Sequence, residues 1–354
     1  MRNRRSSLLA LLVGIAQGAM AQTAEDLARC RDIVDANERL RCYDDLARTV
    51  LPPPATTLTE PPKPLPLERD DPRTALVPTG KVAEGRSLLS QRWELDREDK
   101  YGLFQFTYYR PNYILPISWS TDVNRLPQSP TRDPLPLEIP YQYAEGAFQL
   151  SFKIKLVEEV LGSSSDIWVG YTQQSYWQVY NGDISRPFRE TNYEPEVMWV
   201  VPTDYEILGL RGRLLSFGLA HQSNGRAEPL SRSWNRVYAM VGLERGPFVL
   251  QAKAWKRLNE TGIDDDNPDI VDYVGRAELL GYYQLPRGGS TALRLRTTFK
   301  RDPSWGSAQF DWRFPISGKL FGYLQVFSGY GESMIDYNFR KTSVGLGISI
   351  GSWY

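Results

Sequence analysis

The stretch GLAHQSNGRAEPLSRSWNRVY, residues 218–238, holds His221, the only histidine of the chain. Ser223 follows two residues later and Asn235 fourteen residues after the histidine. These three types can divide a nucleophilic reaction among them. A serine hydroxyl attacks poorly until a base takes its proton. An imidazole is such a base when its second nitrogen is held in one tautomer by an acceptor, which an amide oxygen can be.

That chemistry needs elements that bring the residues together. Residues i and i+2 of a strand project from one face, ~6.5–7 Å apart at Cα. Up to Ser223 the pattern alternates: Leu215, Phe217, Leu219, His221 and Ser223 share one face, and Ser216, Gly218, Ala220 and Gln222 the other. Asn235 shares parity with Val237, Ala239, Val241 and Leu243. Antiparallel pairing about the connecting segment, 224–232, sets Asn235 almost opposite His221. The three polar residues therefore lie on the apolar faces of two successive strands. If those faces meet lipid, a polar group there points to function. A neutral amide also avoids an unpaired carboxylate beside hydrocarbon.

The same alternation recurs along the chain. In FQLSFKIKL, Phe148, Leu150, Phe152, Ile154 and Leu156 oppose Gln149, Ser151, Lys153 and Lys155. Twelve strands are expected, near 103–114, 147–157, 166–179, 195–203, 208–223, 233–244, 248–257, 272–284, 290–300, 307–314, 319–330 and 342–354. Several are about ten residues long, enough to cross a bilayer when tilted. One face carries charge or glycine, as a polar lumen would, and aromatics crowd strand ends at Tyr108-Tyr109, Trp177 and Trp353-Tyr354. No run of ~20 apolar residues suggests a spanning helix. The expectation is an all-β, twelve-stranded antiparallel transmembrane barrel over 96–354, with a soluble β-sandwich as the competing architecture.

Ahead of it, Arg2, Arg4 and Arg5, the apolar run Leu8–Ile15 and Ala19-Met20-Ala21 read as an export signal over 1–21. Residues 22–50 read as a small helical hairpin on the periplasmic side, and 51–95 as a Pro-rich linker. Cys30 and Cys42 are the only cysteines. Along one straight helix they would stand ~18 Å apart. If they pair, the chain must fold back near Asp35-Ala36-Asn37. The 42 basic and 42 acidic residues cancel, so bulk charge does not point to nucleic acid.

HQSNGR…SRSWNRVY, GYTQQSYWQ, PFRETNYEPE, DDNPDI and VFSGYGESMIDYN together resemble the outer-membrane phospholipase A family, over about residues 95–354. The resemblance implies a calcium-dependent acyl hydrolase of the outer membrane that cleaves phospholipids and lysophospholipids at both glycerol positions and is active as a homodimer. By motif, Ser223 would be the nucleophile, His221 the base and Asn235 the orienting residue. The Gly225 N–H would form half of an oxyanion hole. The Ser231 side chain and the Arg226 carbonyl would hold calcium, with Ser185 supplied from a partner chain and Asp266 serving a further site. Gln173 shares parity with Ile167, Val169 and Tyr171, so it would face lipid; pairing with its symmetry mate would satisfy its amide.

Three other readings compete. A porin or structural barrel would place His221 and Ser223 in the lumen or on an irregular loop. An outer-membrane protease would need paired carboxylates beside the histidine, and that face has none. A soluble lipase would show a G-x-S-x-G elbow, which is absent.

Overall fold

The computed structural model describes residues 29–50, 86–258, 265–300, 305–317 and 320–350. The chain divides into two compact units, 1–70 and 71–354. The export signal, most of the Pro-rich stretch and the C-terminal Trp353-Tyr354 lie outside the described residues.

In the first unit, helix α1 (Ala36–Val50) follows a turn at 32–35. Asp35 starts it by accepting from the backbone N–H groups of Asn37 and Glu38, at 3.0 and 2.9 Å, which fills two of the orphan donors of a helix start. The fold-back brings Cys30 and Cys42 together in a disulfide, with Cα atoms 5.5 Å apart.

The second unit opens with helix α2 (Leu88–Trp93), capped by the Ser87 hydroxyl, which accepts from the Ser90 N–H at 2.9 Å. Then come strands β1 (Phe106–Tyr108), β2 (Asn112–Ser120), β3 (Ala144–Val157), β4 (Asp166–Trp177), β5 (Phe188–Ile207), β6 (Leu210–Ser223), β7 (Ser233–Arg245) and β8 (Phe248–Leu258). A short helix α3 (Ile270–Tyr273) precedes β9 (Ala277–Gln284), β10 (Ser290–Thr297), β11 (Gly306–Ser317), β12 (Leu320–Gly329) and β13 (Lys341–Ile350). All pair antiparallel. β1 and β2 lie end to end along β3, through Phe106↔Ile154 and Tyr113↔Gln149, and form one interrupted stave. β13 closes onto β2 through Val344↔Trp119. The result is a closed barrel of twelve staves, as the alternation predicts.

Several boundaries differ from expectation; the first strand, expected at 103–114, is split into β1 and β2 and runs on to Ser120. The strand expected at 195–203 runs over 188–207, because its first residues, RETNYEPE, are polar and continue above the apolar belt. The strand expected from 272 begins at 277; residues 270–273 are helical. The linker expected through residue 95 ends earlier. No proline lies between Pro78 and Pro111, and Leu88, Leu89, Trp93 and Leu95 are buried inside the barrel. Spaced for one helix face and capped by Ser87, they make α2 a plug rather than a spacer.

The outer wall is apolar and exposed: Ile114, Leu150, Val197, Leu219, Leu346 and Ile350 are each about half exposed or more. A belt of that extent does not face water in a soluble protein, and the interior is not apolar throughout, as a sandwich core would be. Inside, the α2 plug packs on Trp168, Met198, Leu214 and Tyr282. The Lys153 ammonium stands 4.1 Å from the Trp93 ring and 3.9 Å from that of Trp168. Lys155 pairs with Glu94 at 2.7 Å and Asp166 at 3.2 Å. Nearer mid-barrel, Arg110 bridges Glu194 and Glu196, at 2.9 and 2.6 Å, and Lys253 reaches Glu196 at 3.1 Å. Buried charges persist only when paired in this way. The lumen is filled with side chains, which argues against an aqueous pore.

Candidate active site

Strand hairpins at one end are short, such as 208–209 and 246–247; connections at the other are longer, such as 121–143 and 224–232. That asymmetry is typical of outer-membrane barrels, whose long loops face outward from the cell. His221, Ser223 and Asn235 lie at the long-loop end.

Register places His221 directly opposite Asn235, and Ser223 opposite Ser233. The neighbouring inward residues Ala220, Trp234 and Arg236 are buried, whereas Phe217, Leu219 and His221 are exposed on the outer wall. His221 Nδ1 lies 2.8 Å from Asn235 Oδ1. An oxygen acceptor there calls for the proton on Nδ1, leaving Nε2 with its lone pair free to act as a base. Ser223 shares the face two residues on; among the described residues no hydrogen bond joins it to the ring. Such contacts commonly tighten only with substrate bound.

The loop after Ser223 is shaped by its own backbone. Gly225 adopts φ +62°, and an added Cβ would meet the Tyr193 ring at 3.2 Å. Any other residue would be strained there. The Gly225 N–H takes part in no backbone hydrogen bond among the described residues, so it remains a free donor two residues past the end of the strand.

Sequence reasoning missed the residues that hold this loop. Asn224 is buried. Its Oδ1 accepts from the Arg232 N–H at 2.9 Å and the Arg226 N–H at 3.3 Å, and its Nδ2 donates to the Leu230 carbonyl at 2.8 Å. One amide thus closes a nine-residue loop on itself; the Asn-Gly pair was its only signal. Asn267 Oδ1 receives the Ser233 N–H at 2.9 Å. Arg132 comes from the distant β2–β3 loop, and nothing in the local pattern marked it.

The candidate calcium ligands are partly assembled. The Ser231 hydroxyl donates to Asp266 Oδ2 at 2.5 Å, so Asp266, expected at a separate site, sits beside Ser231. Its other oxygen is taken by Arg132, 2.9 Å from Nε and 2.7 Å from Nη2. Arg132 Nη2 also reaches Glu228 at 2.9 Å. Arg226 contributes a carbonyl from the same loop, while its guanidinium donates to the Arg189 carbonyl at 2.9 Å. Ser185 is exposed in the β4–β5 loop, and no contact joins it to Ser231 within the described chain. Among the described residues no cluster of three or more His, Cys, Asp or Glu could hold a metal. The donors present are oxygens of the hard type that calcium prefers, but fewer than its usual six to eight. The set fits calcium if further oxygens come from outside it.

Gln173 lies on the outer wall as expected. It accepts from the Tyr171 hydroxyl at 3.2 Å and donates toward Ser175 Oγ at 3.4 Å.

Residues 89–350 match the family model described as Phospholipase A1. The chain belongs to the phospholipase A1 family. A Neisseria meningitidis serogroup B protein with a provisional phospholipase A1 designation is 35% identical over 98% of this chain and 96% of its own length. The phospholipase A1 of Escherichia coli K12 is 40% identical over 60% of this chain and 74% of its own. Among solved structures, the outer membrane phospholipase A of Escherichia coli superposes with a TM-score of 0.62 at 34% identity, covering 70% of this chain and 95% of that one. A Salmonella typhi outer membrane phospholipase dimer with bound calcium gives 0.65 at 33%, covering 76% and 98%. This phospholipase A1 family member is thus an outer-membrane barrel with phospholipid-hydrolysing activity, and the porin reading falls with the face on which His221 lies.

Proposed function

We propose that the chain hydrolyses phospholipid acyl esters by a Ser-His-Asn mechanism on the outer wall of its barrel. The observation that carries this reading is the 2.8 Å contact between His221 Nδ1 and Asn235 Oδ1 on a lipid-facing surface. A solved Escherichia coli relative described as an active-site mutant replaces an asparagine by alanine, which supports an asparagine in this role.

Ser223 Oγ attacks the ester carbonyl carbon while His221 Nε2 takes its proton. The carbonyl oxygen becomes an oxyanion that the Gly225 N–H can bind, commonly a large catalytic contribution. The carbon–oxygen bond to glycerol then breaks, and His221 returns its proton to the departing lysophospholipid. Water, deprotonated by His221, adds to the acyl-serine; the fatty acid leaves and the serine is restored. Asn235 holds the ring and stabilises its charged form less than a carboxylate would. Because the site opens onto lipid rather than into a pocket, either the sn-1 or the sn-2 ester can be presented.

Calcium, when bound, supplies positive charge that favours the oxyanion. The Arg226 carbonyl and the Ser231 hydroxyl would hold it, together with Ser185 of the partner subunit. Asp266 orients Ser231; its own coordination of the ion would require Arg132 to release Oδ1. A twofold contact through the Gln173 face would bring the subunits together and make activity depend on dimerisation. Residues 22–50 would lie in the periplasm.

The test is fatty-acid release from phospholipid in detergent, with calcium and with chelator, against Ser223→Ala. Activity surviving Ser223→Ala sinks the mechanism; activity indifferent to chelator sinks only the metal role.

A further inference from the structure

Between its two ends the outer wall carries polar groups at a few places but almost no charge. Among the described strand residues away from the turns, Lys256 is the one charged side chain on the outward face. Its parity follows from register: Lys256 opposes Val237, which opposes Leu219, while its neighbours Trp255 and Arg257 point inward. It is exposed, and no hydrogen bond or ion pair holds it among the described residues. A charge facing lipid is costly and calls for a function.

Its height on the wall matters. One hydrogen-bonded row runs Val157, Ile167, Trp199, Phe217, Ala239, Ala254, then on to Ala277, Thr297 and Gly306. It begins at the β3–β4 turn and ends at the long loop between β10 and β11. Rows therefore climb toward the loop end as strand number rises, as strand tilt requires. Lys256 is two strands further along than His221 and one side-chain step below its row. The climb offsets that step, so Lys256 stands at about the level of the catalytic row. A lysine stem then lets the ammonium rise to the headgroup zone. Diagonal neighbours on adjacent strands lie about 7–8 Å apart, within reach of long side chains, and Lys256 is such a neighbour of Asn235.

Between Lys256 and β5 the wall is hollowed. A groove of about 660 Å³ runs over Trp199, Phe217, Leu219, Ala239 and Ala254, with Lys256 at its edge. Small side chains at 239 and 254, flanked by Trp199 and Phe217, leave room for an alkyl chain immediately below His221. The other cations of the catalytic hairpin are engaged: Arg226 on the Arg189 carbonyl, and Arg232 on the Pro229 and Ser231 carbonyls.

We propose that Lys256 binds the phosphate of the phospholipid under attack, while the groove beside it takes that lipid's alkyl chain. This rests on the reading of Ser223 and His221 as the reacting pair. It makes Lys256 a specificity-determining cation that favours phosphate-bearing esters over neutral ones.

The test uses the full chain in neutral-detergent micelles with calcium. KM and kcat are measured for a diacylglycerophosphocholine and for a monoacylglycerol, which keeps an ester and a chain but lacks phosphate. A single surface cation beside a lipid phosphate supports an effect of about fivefold. Lys256→Gln should raise KM for the phospholipid by that factor with kcat preserved, leave the neutral ester unchanged, and be rescued by Lys256→Arg. Unchanged phospholipid KM would show a lysine that merely rises to the headgroups and would overturn the proposal. So would an equal change for both substrates. If the unaltered chain does not cleave the neutral ester, the phospholipid KM of Lys256→Gln and its rescue by Lys256→Arg decide alone. Loss of all activity in Ser223→Ala checks the reacting pair separately, so the two readings can fail independently.

Discussion

Strands β6 and β7 present two faces that use the same residue spacing for opposite ends. On the inner face Gln222 Oε1 receives the Trp234 indole N–H at 2.9 Å and the Arg236 guanidinium at 3.2 Å, and Arg236 pairs with Glu194. Those groups are spent on one another. On the outer face, one residue along, His221 and Asn235 pair with each other and leave the Ser223 hydroxyl and the Gly225 N–H for something else. The difference teaches that burial with partners makes polarity structural, whereas polarity facing lipid keeps its donors in reserve.

The comparison can be broken from either side. The largest expected effect is on the outer face: if the proposed mechanism holds, Ser223→Ala should lower kcat by at least about 10³-fold, as in serine hydrolases, without shifting thermal unfolding. On the inner side Trp93→Ala, which empties the plug, should cost about 3–5 kcal/mol of stability yet leave kcat per folded molecule near normal. Urea titration and active-site counting would check this, and a kcat loss without a stability loss would erase the distinction between the faces. Asn235→Ala should lower kcat by about 10²-fold, within the range for a disturbed general base, with KM little changed; a pH–rate profile would show the base less well held.

The smallest effect sharpens the boundary between the faces, at the loop end of the lumen. Burial alone would raise the Asp336 carboxyl, but Lys341 and Arg189 hold it well below the usual carboxylate range. Its stabilising contribution is therefore complete above about pH 4, the ordinary value for an aspartate, and is lost as pH falls through the depressed folded value. Thermal unfolding of the wild type and of Asp336→Asn should differ most at neutral pH and converge below pH ~4. A gap that stays constant through acid would show that the pair contributes nothing.

Much of this was legible in the alternation. Period two assigned His221, Ser223, Asn235 and Gln173 to the outer wall because a strand allows a side chain only two directions. It also predicted twelve staves, since each apolar alternation had to be long enough to cross the same belt. What it did not show was long-range. Asn224 looked like half of a turn signal, although its amide organises the loop. Arg132 lies ninety-nine residues before Ser231 and meets Asp266 only because the barrel closes. The α2 plug hid behind its proline-rich neighbours, since a six-residue helix has too few turns to display a period. None of these contacts repeats, so none leaves a pattern.

The packed lumen has one more consequence. With the lumen filled by side chains among the described residues and Ser223 on the outer wall, a lipid on the proposed reading reaches Ser223 sideways, by diffusion within the leaflet, and not through the barrel. The quantity that governs turnover is therefore the surface fraction of ester-bearing lipid around the wall, not its amount per volume of medium. A phospholipid diluted into inert amphiphile at fixed bulk concentration should slow this enzyme as surely as removing it.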